Sequence, residues 1–165
     1  MAESGEQASG ATHGDLARVL REAGSALPRC VWLIEGAALN TLRILIVDDS
    51  DTTRRILNTI VRSRHWSVCG EAESGWSGIK KFQELKPDLV LLDLAMPDIN
   101  GIEVARMMSG LDRTVPIIMF TVLNLEGLER AAHNAGVHAI VSKGECWNLL
   151  STIEAAVSAS GQQIR

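Results

Sequence analysis

Five residues of this chain have side chains that can do chemistry together: Asp48, Asp49, Asp93, Thr121 and Lys143. Each follows a short apolar run. The stretch LVLLDLAMPDING (89–101) sets Asp93 after four aliphatic residues and is then broken by Pro97 and Gly101. RILIV (43–47) leads into Asp48 and Asp49, PIIMF (116–120) into Thr121, and HAIV (138–141) into Lys143 two residues later. A run without polar alternation reads as a strand covered on both faces, the condition of a parallel sheet flanked by helices. In such a sheet all carboxyl ends lie on one edge, where open α/β folds bind ligands. The five residues therefore converge. Three carboxylates crowded there repel one another and are stable only with a proton or a cation close by. Mg²⁺ is the natural cation, because it prefers oxygen ligands in octahedral geometry and takes one or two carboxylates with water and phosphate oxygens. Singly, each residue has a plainer reading. Asp93 can cap a turn, Asp48, Asp49 or Ser50 can cap a helix starting near Thr52, Thr121 is an ordinary strand-end threonine, and Lys143 is a solvated lysine.

The elements that must position these residues alternate along the chain from Leu42 onward. Candidate strands are 43–47, 67–71, 88–92, 116–120 and 138–141. Between them lie helical patterns. TRRILNTIVR places Ile56 with Ile60, and Leu57 with Val61, at i and i+4, while GIKKFQEL sets Ile79, Phe82 and Leu85 on one side. IEVARMMSGL and LEGLERAAHNAG follow, with Gly136 as a C-cap. CWNLLSTIEAAV closes the series through Trp147, Leu150, Ile153 and Val157. Five strands alternating with five helices specify an α/β domain, a doubly wound (βα)5 parallel sheet with helices on both faces. Trp66, Trp76 and Trp147 are expected to pack, and His65, His133 and His138 have no ligand spacing.

Composition narrows the function classes. A chain of 165 residues with 46% hydrophobic and 22% charged residues suits one globular domain with some surplus chain. A net charge of −4 argues against direct binding to nucleic acid. Cys30, Cys69 and Cys146 form no CxxC pair, so neither a disulfide framework nor a zinc site is indicated, and a reducing cytoplasm fits. The most apolar long window, CVWLIEGAALNTLRILIV, is interrupted by Glu35, Asn40 and Arg43, and the N-terminus lacks the layout of a secretory signal, so no membrane attachment is expected. Residues 1–41 read as an N-terminal extension, small and polar over 1–14 and expected to be mostly disordered, with a short amphipathic helix over 15–27 between Asp15 and Pro28. The apolar RCVWLIEGAALNT then reads equally as a docking segment or as sequence upstream of the true translation start.

The strand-end constellation resembles the receiver domain of two-component response regulators, over residues 42–160, with 161–165 as a tail. LIVDDS resembles the family's acidic pair, LLDLAMPDING its phosphoacceptor turn, MFT its hydroxyl and VSK its lysine. The spacing agrees as well, with 44 residues from Asp49 to Asp93 (93 − 49), 28 to Thr121 (121 − 93) and 22 to Lys143 (143 − 121). The resemblance implies a flavodoxin-like fold in which Asp93 is the phosphoacceptor, served by a sensor histidine kinase or a histidine phosphotransfer protein. Asp49 and Asp93 would hold Mg²⁺ directly, Asp48 through water, and the backbone carbonyl of Ala95 would be a further ligand. Lys143 would pair with Asp93 before transfer and with a phosphoryl oxygen afterwards, while the Thr121 hydroxyl would swing to another.

Three departures from the commoner family pattern carry expectations of their own. Ile140 stands where many receivers have a switching aromatic, and it is expected to pack inward. Gly144 follows Lys143 where many have proline, which removes the usual cis bond and leaves the lysine less rigidly placed. Ala95 and Leu123 stand where polar side chains in the family can orient a water toward phosphorus, so slow self-hydrolysis is expected. The few residues after the last helix suggest a stand-alone receiver that is not an enzyme, acting by binding a downstream protein with anchors such as Leu125, Leu128 and Trp147. The alternatives are a phosphorylation-independent scaffold and a Mg²⁺-dependent phosphohydrolase working through an aspartyl phosphate. The second would place an Asp-x-Asp nucleophile motif after the first strand, a form that the Asp48–Asp49 pair does not have.

Overall fold

The computed structural model describes residues 41–122, 127 and 129–160. The expected helix over 15–27, residues 161–165, Leu123, Leu125 and Leu128 lie outside the described residues. Five strands form one parallel sheet: β1 (Arg43–Val47), β2 (Ser67–Ala72), β3 (Leu89–Leu92), β4 (Ile117–Thr121) and β5 (Val137–Ser142). Between and after them run α1 (Asp51–Arg62), α2 (Gly75–Leu85), α3 (Gly101–Leu111), α4 (Glu129–Asn134) and α5 (Leu149–Ala159), with a 3₁₀ segment at Lys143–Asn148 leading into α5. The strand order is β2-β1-β3-β4-β5. Consecutive strands β1 and β2 pair, and the chain then crosses back so that β3 lies on the other side of β1. The winding reverses between β1 and β3, and the carboxyl ends of these strands are where open α/β sheets bind ligands.

The sheet divides the apolar residues between two layers, as its pleat requires. Leu45, Val47, Val90, Leu92, Ile117 and Met119 face α2, α3 and α4 with Phe82, Val104 and Met108. Ile44, Ile46, Leu89, Leu91, Ile118 and Phe120 face α1 and α5 with Leu57, Val61, Leu149 and Ile153. The central strands β3 and β4 are buried at every residue, which is why their sequences show no polar alternation. Gly136 takes a φ of +92° after α4, as its C-cap position requires.

Two expectations about side chains are corrected. Ile140 is 36% exposed: β5 is an edge strand whose alternate positions turn outward, so Val141 is buried beside it. Of the three tryptophans expected to pack, only Trp66 does. Trp76 at the start of α2 is 56% exposed, and Trp147, in the 3₁₀ segment and not yet on the inner stripe of α5, is 70% exposed.

Candidate functional site

The turn after β1 places the acidic pair. Asp48 is buried and Asp49 exposed, with suitable carboxylate oxygens of Asp48, Asp49 and Asp93 all within 4.8 Å of one another. Ser50 caps α1, its Oγ accepting the Thr53 N–H at 3.3 Å, and its own N–H donates to Asp48 Oδ1 at 2.9 Å. The helix cap is thus Ser50, and the two aspartates are not consumed by that role. Asp51 completes a formal Asp-x-Asp with Asp49, but its carboxylate pairs with Arg54 at 3.3 Å and Arg55 at 2.9 Å at the exposed start of α1.

At the end of β3, Asp93 is buried, with Oδ1 accepting the Leu94 N–H at 2.8 Å. Gly101 shapes this turn: its N–H donates to Leu94 O at 2.9 Å, and a Cβ there would collide with the Asp93 carbonyl oxygen and stand 2.8 Å from Leu94 Cα. Only glycine lets α3 start this close to the aspartate's backbone. Asn100 caps that helix through the Ile102 N–H at 2.8 Å. Ala95 follows on the exposed side of the turn.

Lys143 closes the site from β5. Its Nζ lies 2.7 Å from Asp48 Oδ2 and 3.2 Å from Asp93 Oδ2, so it bridges both buried carboxylates and does not pair with Asp93 alone. Where a proline would have no N–H, the Gly144 N–H donates to Ser142 Oγ at 3.2 Å. Thr121 is fully buried at the end of β4, directly opposite Ser142 in the sheet register.

Burial pushes the Asp93 carboxyl above its ordinary range; the Lys143 ammonium pulls it down without cancelling that effect, and the neighbouring Asp48 charge adds to the rise. Three carboxylates against one ammonium leave a net −2 when all are ionised (−3 + 1). Asp48 Oδ2 is buried and rests on its ion pair with the Lys143 ammonium. A cluster of three carboxylates whose oxygens lie within 4.8 Å of one another, with this excess negative charge, fits a hard divalent cation.

Two site features were absent from the sequence reading. Asp98, exposed in the turn after Asp93, accepts the Gly75 N–H (Oδ1) and the Trp76 N–H (Oδ2), both at 3.1 Å. With Ser74 Oγ accepting the Ser77 N–H and Ser77 Oγ accepting the Ser74 N–H, both at 3.3 Å, all four free donors at the start of α2 are satisfied and the turn after Asp93 is tied to that helix. Arg54, in α1, donates through Nη1 to the carbonyl oxygens of Asp48 and Asp49. An acidic cap at a helix start is the signal for the first, but that helix lies 22 residues upstream; the second has no sequence signal.

Comparison with known proteins agrees with this geometry. The chemotaxis protein CheY of Listeria monocytogenes is 33% identical over 102 residues, 62% of this chain and 86% of that protein. Among solved structures, the response regulator domain of Thermotoga maritima CheB is similar at a TM-score of 0.66 and 30% identity, covering 72% of this chain and 97% of that one. The CheX–CheY–BeF3–Mg²⁺ complex of Borrelia burgdorferi is similar at a TM-score of 0.66 and 26% identity, over 69% of this chain and 87% of that one. Receiver domains of this kind are signalling domains of two-component systems, and they typically bind Mg²⁺ at an acidic pocket. The family model of the response regulator receiver domain matches residues 44–153, an extent that takes in all five site positions, and the chain belongs to that family.

Proposed function

We propose that this chain is a phosphorylation-dependent switch in which Asp93 accepts a phosphoryl group from a sensor histidine kinase or a histidine phosphotransfer protein. The observation that carries the reading is Asp93 itself, a buried carboxylate at a strand end with a lysine ammonium 3.2 Å from one oxygen and a peptide N–H 2.8 Å from the other. A carboxylate oxygen of Asp93 attacks phosphorus, the P–N bond of the donor phosphohistidine breaks, and the imidazole leaves with the bonding pair. Lys143 passes from Asp93 to a phosphoryl oxygen, and the Thr121 hydroxyl donates to another. Asp49, Asp93 and the Ala95 carbonyl would hold Mg²⁺, with Asp48 acting through water, and the ion would neutralise charge on the transferring oxygens. The BeF3 and Mg²⁺ found with a related CheY support this assignment.

The phosphorylated form acts by binding a downstream protein, and outward apolar side chains at Val122, Ile140 and Trp147 suit such a contact. The setting is the cytoplasm: Cys69 and Cys146 are free thiols, and among the described residues no helix is long and apolar enough to cross a membrane. The test is intact-mass spectrometry after incubation with acetyl phosphate and Mg²⁺. The wild-type chain gains one phosphoryl group and Asp93→Asn gains none; equal gain by both sinks the assignment, and repeated turnover of a generic phosphate ester favours a phosphohydrolase.

A further inference from the structure

The turn after β1 holds a guanidinium to which the phosphoryl chemistry assigns no part. The Arg54 side chain is only 13% exposed. Nη1 donates to Asp48 O at 2.8 Å and to Asp49 O at 3.2 Å. Nη2 reaches Asp51 Oδ1 at 3.3 Å, and Nε faces Glu71 Oε2 at 3.5 Å. Glu71 is in turn fixed by Asn58, whose Nδ2 donates to Oε1 at 2.7 Å. One rigid plane therefore grips two consecutive carbonyls and is itself anchored to α1 and β2.

Those two carbonyls belong to the peptide groups that follow Asp48 and Asp49, and fixing both limits the directions in which the Asp49 side chain can leave the backbone. The two aspartates differ in what else holds them. The Asp48 carboxylate is secured by Ser50 and Lys143. The Asp49 carboxylate is exposed, and among the described residues no hydrogen bond or ion pair holds it. Its direction depends on its backbone.

We infer that Arg54 is a positioning residue for the divalent-cation site, orienting the Asp49 carboxylate by clamping the main chain of the acidic pair; this rests on the proposed reading of that site. Coulomb's law makes the inference testable by sign. Removing a positive charge beside a cation site tightens cation binding if charge is all that matters, whereas losing the clamp weakens it. Partners that orient metal ligands from behind are worth roughly 10–100-fold in affinity.

The experiment is Mn²⁺ titration of the full chain, followed by the electron paramagnetic resonance of free Mn²⁺ and paired with thermal unfolding in the absence of metal. Arg54→Lys keeps the charge and loses the fork, and Arg54→Met loses both. Each is expected to bind roughly tenfold more weakly, and Asp49→Asn, the control for the site, more weakly still. Unchanged or tighter binding by either folded variant overturns the inference, including the case of a lowered melting temperature with intact affinity, which marks a merely structural arginine. Should Arg54→Met not fold, Arg54→Lys decides alone. A wild-type chain that binds no Mn²⁺, or Asp49→Asn binding like wild type, overturns the metal reading together with the inference, whereas unmoved Arg54 variants beside a normal control overturn the inference only.

Discussion

Gly101 abuts the carbonyl oxygen of Asp93 so closely that a side chain at 101 has nowhere to go. The neighbours that a Cβ would meet are backbone atoms of Asp93 and Leu94, which cannot turn aside as a flexible side chain can. Gly101→Ala is therefore expected to destabilise the fold by about 1–3 kcal/mol, and to slow phosphorylation of Asp93 by displacing its turn. Urea unfolding and the rate of phosphoryl gain check the two effects. A variant within ~0.5 kcal/mol of wild type, the range of ordinary surface changes, would show that α3 can shift freely.

Lys143 offsets two buried carboxylates, so Lys143→Met is expected to cost on the order of 3–5 kcal/mol at neutral pH without metal. The dependence on pH follows from Asp93, whose folded pKa is raised above the unfolded one, chiefly by burial. Such a group binds its proton more tightly in the folded state, so stability falls as pH rises from the unfolded pKa through the folded one. The deficit of the variant should accordingly shrink in mild acid, and also in excess MgCl2. Unfolding curves at several pH values, with and without Mg²⁺, measure both. A deficit that ignores pH and Mg²⁺ alike would mean that the lysine contributes packing and not charge.

Asp98 titrates in the opposite sense. Desolvation is the largest single influence and pushes its carboxyl up, but the N–H groups of Trp76, Gly75, Asp98 and Ile99 together outweigh it, and the group sits below its ordinary range. Its contribution is fully present above the unfolded pKa and disappears as pH falls through the folded one. Asp98→Ala should thus cost about 1 kcal/mol at pH 7, and less as pH falls below about 4. Denaturation midpoints of the two proteins converging in acid is the expected result, and a constant gap would assign the cost to something other than the ionised cap.

The acyl phosphate on Asp93 is expected to persist, because the Ala95 side chain cannot orient a water and Leu123 offers no polar group either. Decay of the phosphorylated chain after donor removal, in excess Mg²⁺, should be accelerated in the double variant Ala95→Asn, Leu123→Glu. Decay of the wild type within seconds, or no response to the two substitutions, would count against this account.

The strands were readable to within a residue or so at each end, because β3 and β4 are covered on both faces and their runs of Leu, Val and Ile admit no alternation. That the acidic pair, Asp93, Thr121 and Lys143 fall at or just past strand ends on one edge was readable for a related reason: a parallel sheet sends every strand's carboxyl end to the same edge. Ile140 was not, since an apolar residue on an edge strand looks the same in sequence whether it faces the core or the solvent. Arg54 was hidden too. An arginine in an amphipathic helix reads as solvated, and its burial depends on Glu71, seventeen residues on (71 − 54) and across the layer on β2. The tie from Asp98 to α2 likewise joins segments that local periodicity treats as independent.

Lys143 reaches Asp48 across 95 residues (143 − 48), and the strands that bring them together, β1 and β5, are separated in the sheet by β3 and β4. The pairing of β1 with β3 and of β4 with β5 must both be in place before the three charged groups meet. Contacts of such long sequence separation form late, after their loop-closure entropy has been met. A partly folded chain, or one whose last strand has frayed, retains Asp93 but lacks the ammonium beside it. On the proposed function, competence to take up phosphate would therefore belong to the completed sheet and to no fragment of it.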